Sequence, residues 1–259
     1  MQTEEDTWRS DRQPDCGASS LGGAADSSNR VWETDSLQVG AGDAPLALGL
    51  LAICAAALLS LADMALLYSP EGGYGFASYQ PLADVPRWRL LLGHYLGVLL
   101  LPVYIPGYWL VFRGLRDAGV WRSWPVLLLG SYTAAIGGAF HGLIALLALI
   151  VQHGDTDLAA SQGLLEQAGA FADPLHGLVN GLFVLSSIWF AVAVISGRTR
   201  FPRWLAAANP LILGLAIVAP YFLAPGFKPA LLAAPASFNL AHLVFFCLVT
   251  AALRTARPG

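Results

Sequence analysis

The chain has 259 residues, 56% of them hydrophobic and only 12% charged, with a mean hydropathy of +0.59. Soluble domains carry about 25% charged residues, so a water-soluble enzyme is excluded and a bilayer is the expected solvent. With a net charge of −3, no nucleotide-binding loop and no basic patch, nucleic acid is not an expected partner.

Nine of the seventeen acidic residues precede residue 44. Residues 1–44 are rich in Ser, Gly, Asp and Glu and have little apolar surface to bury, so they read as a disordered, acidic cytosolic tail. A secretory signal is not expected there, because no basic stretch leads directly into a short apolar core. Residues 45–259 then read as one integral membrane domain.

Six apolar segments follow, each near the ~20 residues that a span requires. They are Leu46–Tyr68, Leu90–Phe112, Trp124–Val151, Pro174–Ile195, Pro210–Ala224 and Ala236–Leu253. The expected fold is all-α, a six-transmembrane-helix bundle. The third segment is over-long, and the fifth is short enough that a start at Trp204 is conceivable. Pro102 and Pro106 predict a kink in the second. Asp173-Pro174 and Asn209-Pro210 each read as an N-cap followed by proline at the first helical position.

Basic residues set the expected orientation. Eleven of fourteen fall in the N-terminal tail, between segments two and three, between four and five, and after six, while Arg87, Arg89 and Lys228 fall on the other side. The positive-inside rule predicts a cell-membrane protein with both termini cytoplasmic and an acidic outer loop from Gln152 to Asp173. Trp88 and Tyr221 on one side, with Trp109, Trp121, Trp124 and Trp204 on the other, suit interfacial belts. Cys16, Cys54 and Cys247 form no metal or disulfide motif; the latter two read as small apolar core residues.

The segments carry an uncommon set of ionisable groups. His94, His141, His176 and His242 lie on four different segments, and Asp63 is the one formally charged residue within a span. Counting about 1.5 Å per residue from the outer ends puts all five within a slab of roughly 12 Å in the outer half of the bilayer. Such groups are costly in hydrocarbon and mark a functional site by default. Asn180 shares a helix face with His176, and Asn239 shares one with His242, as supporting donors and acceptors. Glycines beside the histidines leave room for close helix approach or for a ligand. His153 reads as a solvated loop residue.

Four uses of this layer are compatible with the residues. The five side chains could ligate a transition metal such as zinc or iron. They could act without metal as general acids and bases on a lipid-like or isoprenoid substrate. His94 and His176 could hold haem b. The groups could also simply hydrogen-bond across helices. The leading expectation is a membrane-embedded enzyme, metal-dependent or metal-free; a transporter or non-catalytic small-molecule binder is the alternative.

The stretches Asp63-Met64-Ala65-Leu66-Leu67-Tyr68, Gly93-His94-Tyr95 and Ser237-Phe238-Asn239-Leu240-Ala241-His242 resemble bacterial multi-pass membrane proteins known only as a domain of unknown function. The resemblance covers most of the chain after Pro45, omits the tail, and implies a six-helix bundle without an activity. The chain is also similar in logic to zinc-dependent membrane hydrolases of the alkaline ceramidase and progestin-receptor-like type. It lacks their paired histidines on the last helix, where only His242 stands, so no roles carry over. The histidine boxes of di-iron desaturases are absent.

Overall fold

In hydrocarbon a backbone has only itself to hydrogen-bond with, so apolar segments of this length can form little other than helix. The computed structural model describes residues 43–68, 79, 82–153, 158–224 and 226–255. The tail expected over residues 1–44 lies almost wholly outside them. Every regular element among the described residues is helical: α1 (Asp43–Leu67), α2 (Arg87–Leu100), α3 (Tyr104–Leu115), α4 (Val120–Gln152), α5 (Leu158–Ser196), α6 (Pro210–Leu223), α7 (Lys228–Ala233) and α8 (Ser237–Thr255).

Among the described residues, five stretches are long and apolar enough to cross a membrane: Ala44–Leu67, Arg87–Ala118, Val120–Gln152, Gln162–Ser196 and Ser237–Thr255. The chain is therefore a multi-pass membrane protein. The expected count of six is met only in part. α6 has 14 residues. At ~1.5 Å per residue it is about 21 Å long, short of a hydrocarbon core of ~30 Å. It does not begin at Trp204 either, which sits in a separate 3-10 turn, Arg203–Ala206.

The two Asx-Pro sites behave differently. Asn209 caps α6 as expected, its Oδ1 accepting from the Ile212 amide at 3.2 Å, with Pro210 at the first helical position. Asp173 caps nothing. α5 runs unbroken from Leu158 through Pro174, so residues 158–173 of the expected outer loop are helix. The Asp173 carboxylate instead accepts a 2.7 Å bond from the Tyr79 hydroxyl. Partial burial, and then this bond, hold the Tyr79 proton well above the usual tyrosine range.

The second segment is interrupted where the kink is expected. A 3-10 turn, Leu101–Val103, separates α2 from α3 and contains Pro102. Helix α1 packs on α2 and α8, and α4 packs on α2, α3 and α5. Bulky rings space α5 from α8: Phe183 meets Phe238 at 4.3 Å and Phe190 meets Phe245 at 5.0 Å. Apolar side chains gather in two clusters, one around Tyr108, Phe190, Phe245 and Phe246, the other around Leu66, Phe140, Ile144 and Leu147. Cys54 and Cys247, expected in the core, face outward instead. They sit on the faces of α1 and α8 turned away from the bundle.

Helices α1 and α8 pack tightly at Gly49, where an added Cβ would strike the Thr250 side chain. Small residues permit such approach between membrane helices. Gly49→Ala should cost about 1–3 kcal/mol by overpacking. Adding Thr250→Ala should recover most of that loss. Reversible unfolding in detergent checks this, and a Gly49→Ala protein as stable as wild type would contradict the packing.

Candidate functional site

Between the two apolar clusters lies a half-enclosed cavity of about 100 Å³, measured as the space open to the centres of water-sized molecules. At roughly 10–15 Å³ per water it holds a handful of waters or a small polar head group. Members of both clusters line it, including Leu66, Phe140 and Ile144 from one and Leu101, Tyr104 and Tyr108 from the other. The site is thus a seam in the packing.

Four of the five expected ionisable groups line this cavity: Asp63, His141, His176 and His242, together with both supporting residues, Asn180 and Asn239. Asp63, Asn239 and His242 are buried, at 6%, 5% and 3% exposure. His176 and Asn180 are half-buried on α5, beside Gly177 and Gly181, which have open space where a Cβ would stand. The more open wall is therefore on the α5 side. The His176 ring lies flat on Phe140, 5.0 Å between centroids and 6° between planes.

His94 does not line the cavity. His94, Gly97 and Leu101 share one helix face. The His141 imidazole, coming from α4, occupies the space beside Gly97, where any Cβ would collide with it. The lining by this helix begins one turn further on, at Leu101. His94 lies instead against α4 near Gly142 and edge-on to Tyr95 at 5.0 Å. Its Nδ1 is buried without a hydrogen-bond partner. His153 ends α4, its Nδ1 2.8 Å from the Leu149 carbonyl.

Two hydrogen-bonded arrays face the cavity. In the first, Asp63 is the acceptor on which everything converges. His141 Nε2 lies 3.3 Å from its Oδ1, and Asn239 Nδ2 donates to its Oδ2 at 2.6 Å. The Tyr104 hydroxyl in turn donates to Asn239 Oδ1 at 2.6 Å. One carboxylate thereby joins α1, α3, α4 and α8. In the second, His242 Nδ1 lies 2.8 Å from the Phe238 carbonyl, and Nε2 lies 2.8 Å from the Tyr108 hydroxyl. A carbonyl can only accept, so Nδ1 carries a proton; in the neutral ring Nε2 then accepts from Tyr108. Tyr108 itself fits only because α4 has Gly130 opposite its ring.

Tyr104 and Tyr108 are the residues that sequence reasoning missed. They lie about 15 and 21 Å beyond His94 by helical rise, outside the expected slab. Helical side chains lean toward the N-terminus, which for this helix is the direction of the site, so both hydroxyls reach back toward Asn239 and His242. The usable signal was the spacing Leu101, Tyr104, Tyr108 on one face immediately after Pro102.

Among the described residues no three His, Cys, Asp or Glu side chains come together so as to hold a metal ion. Of the donors expected for zinc or iron, Asp63, His94, His141, His176 and His242, the described residues bring Asp63 and His141 together and leave His94 outside the cavity. Of the two histidines expected to hold haem, His176 lines the cavity and His94 does not.

A model for a family of unknown function, DUF6796, matches residues 45–256, and the chain belongs to that family. The matched span begins where the sequence resemblance does and leaves out the tail. No curated protein and no solved structure matches the chain significantly.

Replacing Asn239 with Leu would strand the Tyr104 hydroxyl and Asp63 Oδ2 together. Buried groups left unsatisfied cost about 1–3 kcal/mol. Asn239→Leu should therefore destabilise more than Tyr104→Phe, which leaves only one acceptor partly unmet. Equal stability of both variants and wild type in detergent unfolding would contradict the network.

Proposed function

We propose that this DUF6796 member is a membrane-embedded enzyme that takes an amphipathic, lipid-like molecule into the seam between its helices and moves a proton at the molecule's polar end. The observation that carries this reading is Tyr108, which lines the cavity and whose hydroxyl meets His242 Nε2 at 2.8 Å. An imidazole held by its other nitrogen against a carbonyl is oriented as a base, and the hydroxyl it accepts from is the group presented to a bound molecule. In this reading Tyr108 and His242 transfer the proton, and Asp63, oriented by His141 and Asn239, anchors the polar end. His176 and Asn180 flank the way in. His94 stays a packing residue between α2 and α4.

The apolar wall of Leu66, Leu67, Ile144 and Val179 suits a hydrocarbon chain reaching the cavity from the bilayer. We further read α6 as a sixth, short crossing. With the 11-to-3 division of basic residues, this leaves both termini cytoplasmic and the cavity nearer the outer face. The acidic residues before α1 then form a cytosolic arm.

Incubating purified protein with a total lipid extract and following every species by mass spectrometry tests the enzymatic reading. Wild type should consume at least one lipid species. Tyr108→Phe, folded to the same extent, should lose about 10²–10⁴-fold of that rate, the usual weight of a general acid or base. A lipid profile unchanged by wild type, or turnover unaffected by Tyr108→Phe, would overturn it.

A further inference from the structure

We propose, resting on the lipid-like substrate inferred above, that the polar end this cavity accepts is a protonated amine carried on an apolar chain. Among the described residues Asp63 is the one acidic residue lining the cavity, and no Lys or Arg lines it. A carboxylate surrounded by low dielectric is expensive unless a cation meets it or a proton neutralises it. The identity of its partners therefore decides what the cavity is built to receive.

The neighbouring groups offer hydrogen bonds and little positive charge. Arg89 is the basic residue bound nearest to Asp63 along α1, but its guanidinium is spent on the carbonyls at that helix's end. Nε donates to Ala65 at 2.7 Å, and Nη2 donates to Tyr68 at 2.6 Å and to Met64 at 3.3 Å. His141 is the one imidazole touching the carboxylate. Its other nitrogen, Nδ1, is buried beside Gly97 with no hydrogen-bond partner. His141 therefore meets Asp63 through Nε2 alone, as a hydrogen-bond donor. His242 is engaged at both nitrogens by Phe238 and Tyr108. His176 stands at the half-open wall, stacked on Phe140. Asn239 contributes a neutral N–H.

The walls favour the same ligand. Rings of Tyr104, Tyr108, Phe140 and Phe238 line the cavity, and ring faces attract cations most strongly where water is excluded. A phosphate head would face Asp63 with like charge. A hydroxyl head would gain a hydrogen bond and nothing from the charge.

The test uses the full chain in nanodiscs of neutral lipid at pH 7, with n-octylamine, n-octanol and octyl phosphate titrated against thermal unfolding. Wild type should bind octylamine at least tenfold more tightly than octanol, with octyl phosphate weakest. Asp63→Asn should bring octylamine down to the affinity of octanol, and Asp63→Glu should keep the preference. Equal binding of octylamine and octanol by wild type would overturn the amine assignment while leaving a lipid-binding cavity in place. An amine preference that survives in Asp63→Asn would also overturn it. Binding of none of the three would remove the amine assignment and the lipid-like substrate together. Should Asp63→Asn fail to fold, the ranking of the three ligands by wild type and Asp63→Glu decides.

Discussion

A carboxylate inside a membrane-spanning helix must be matched by donors or it unfolds the region that holds it. Asp63 meets this constraint with groups drawn from other helices: His141 from α4, and Asn239 from α8 with Tyr104 of α3 behind it. None of these bonds is local in sequence. Meeting the hydrogen-bond demand of one buried carboxylate thus ties four helices together. The position of α1 is secured a second time at its C-terminal end, where Arg89 closes the carbonyls of Met64, Ala65 and Tyr68. The cavity beside Asp63 is a consequence of this arrangement.

The space exists because the bundle is packed unevenly. Gly97 lets the His141 imidazole lie against α2, which closes the cavity above Leu101 and isolates His94. The turn at Leu101–Val103 breaks the helix just there, and the following turns present Tyr104 and Tyr108 inward. Phe183 stands between α5 and α8, touching both Phe238 and His242, and keeps the two backbones apart at the cavity's edge. His176 and Asn180 leave the α5 side of the cavity half-buried. Polar groups on the floor and an open, apolar flank make the site suitable for a molecule that is itself polar at one end.

Much of this was legible in the sequence because charge in an apolar run is conspicuous. Asp63, His242 and Asn239 stand out by residue type, and the three-residue spacing of the last two placed them on one face. The membrane-length helices and the break at Pro102 were legible for equally local reasons. What failed depended on distant partners. Asp173-Pro174 and Asn209-Pro210 look alike locally, yet one is mid-helix because α5 continues outward and Tyr79, 94 residues away in the chain, takes its carboxylate. His94 was grouped with the others by depth, but depth says nothing about which side chain blocks another. Tyr104 and Tyr108 escaped notice because a tyrosine in an apolar span ordinarily reads as an interfacial anchor. Equal height did not bring three of the expected metal donors to one point among the described residues.

The contact between Asp63 and His141 is the joint on which the site closes, and a double-mutant cycle measures it directly. Asp63→Asn, His141→Phe and the double variant would be unfolded reversibly in detergent alongside wild type. Partners in one buried network show coupling of about 0.5–3 kcal/mol. A coupling of about 1 kcal/mol or more is expected here, with the double variant less damaged than the sum of the two single changes. Additivity within about 0.5 kcal/mol would mean that the two side chains do not depend on each other, and the site as described would not exist.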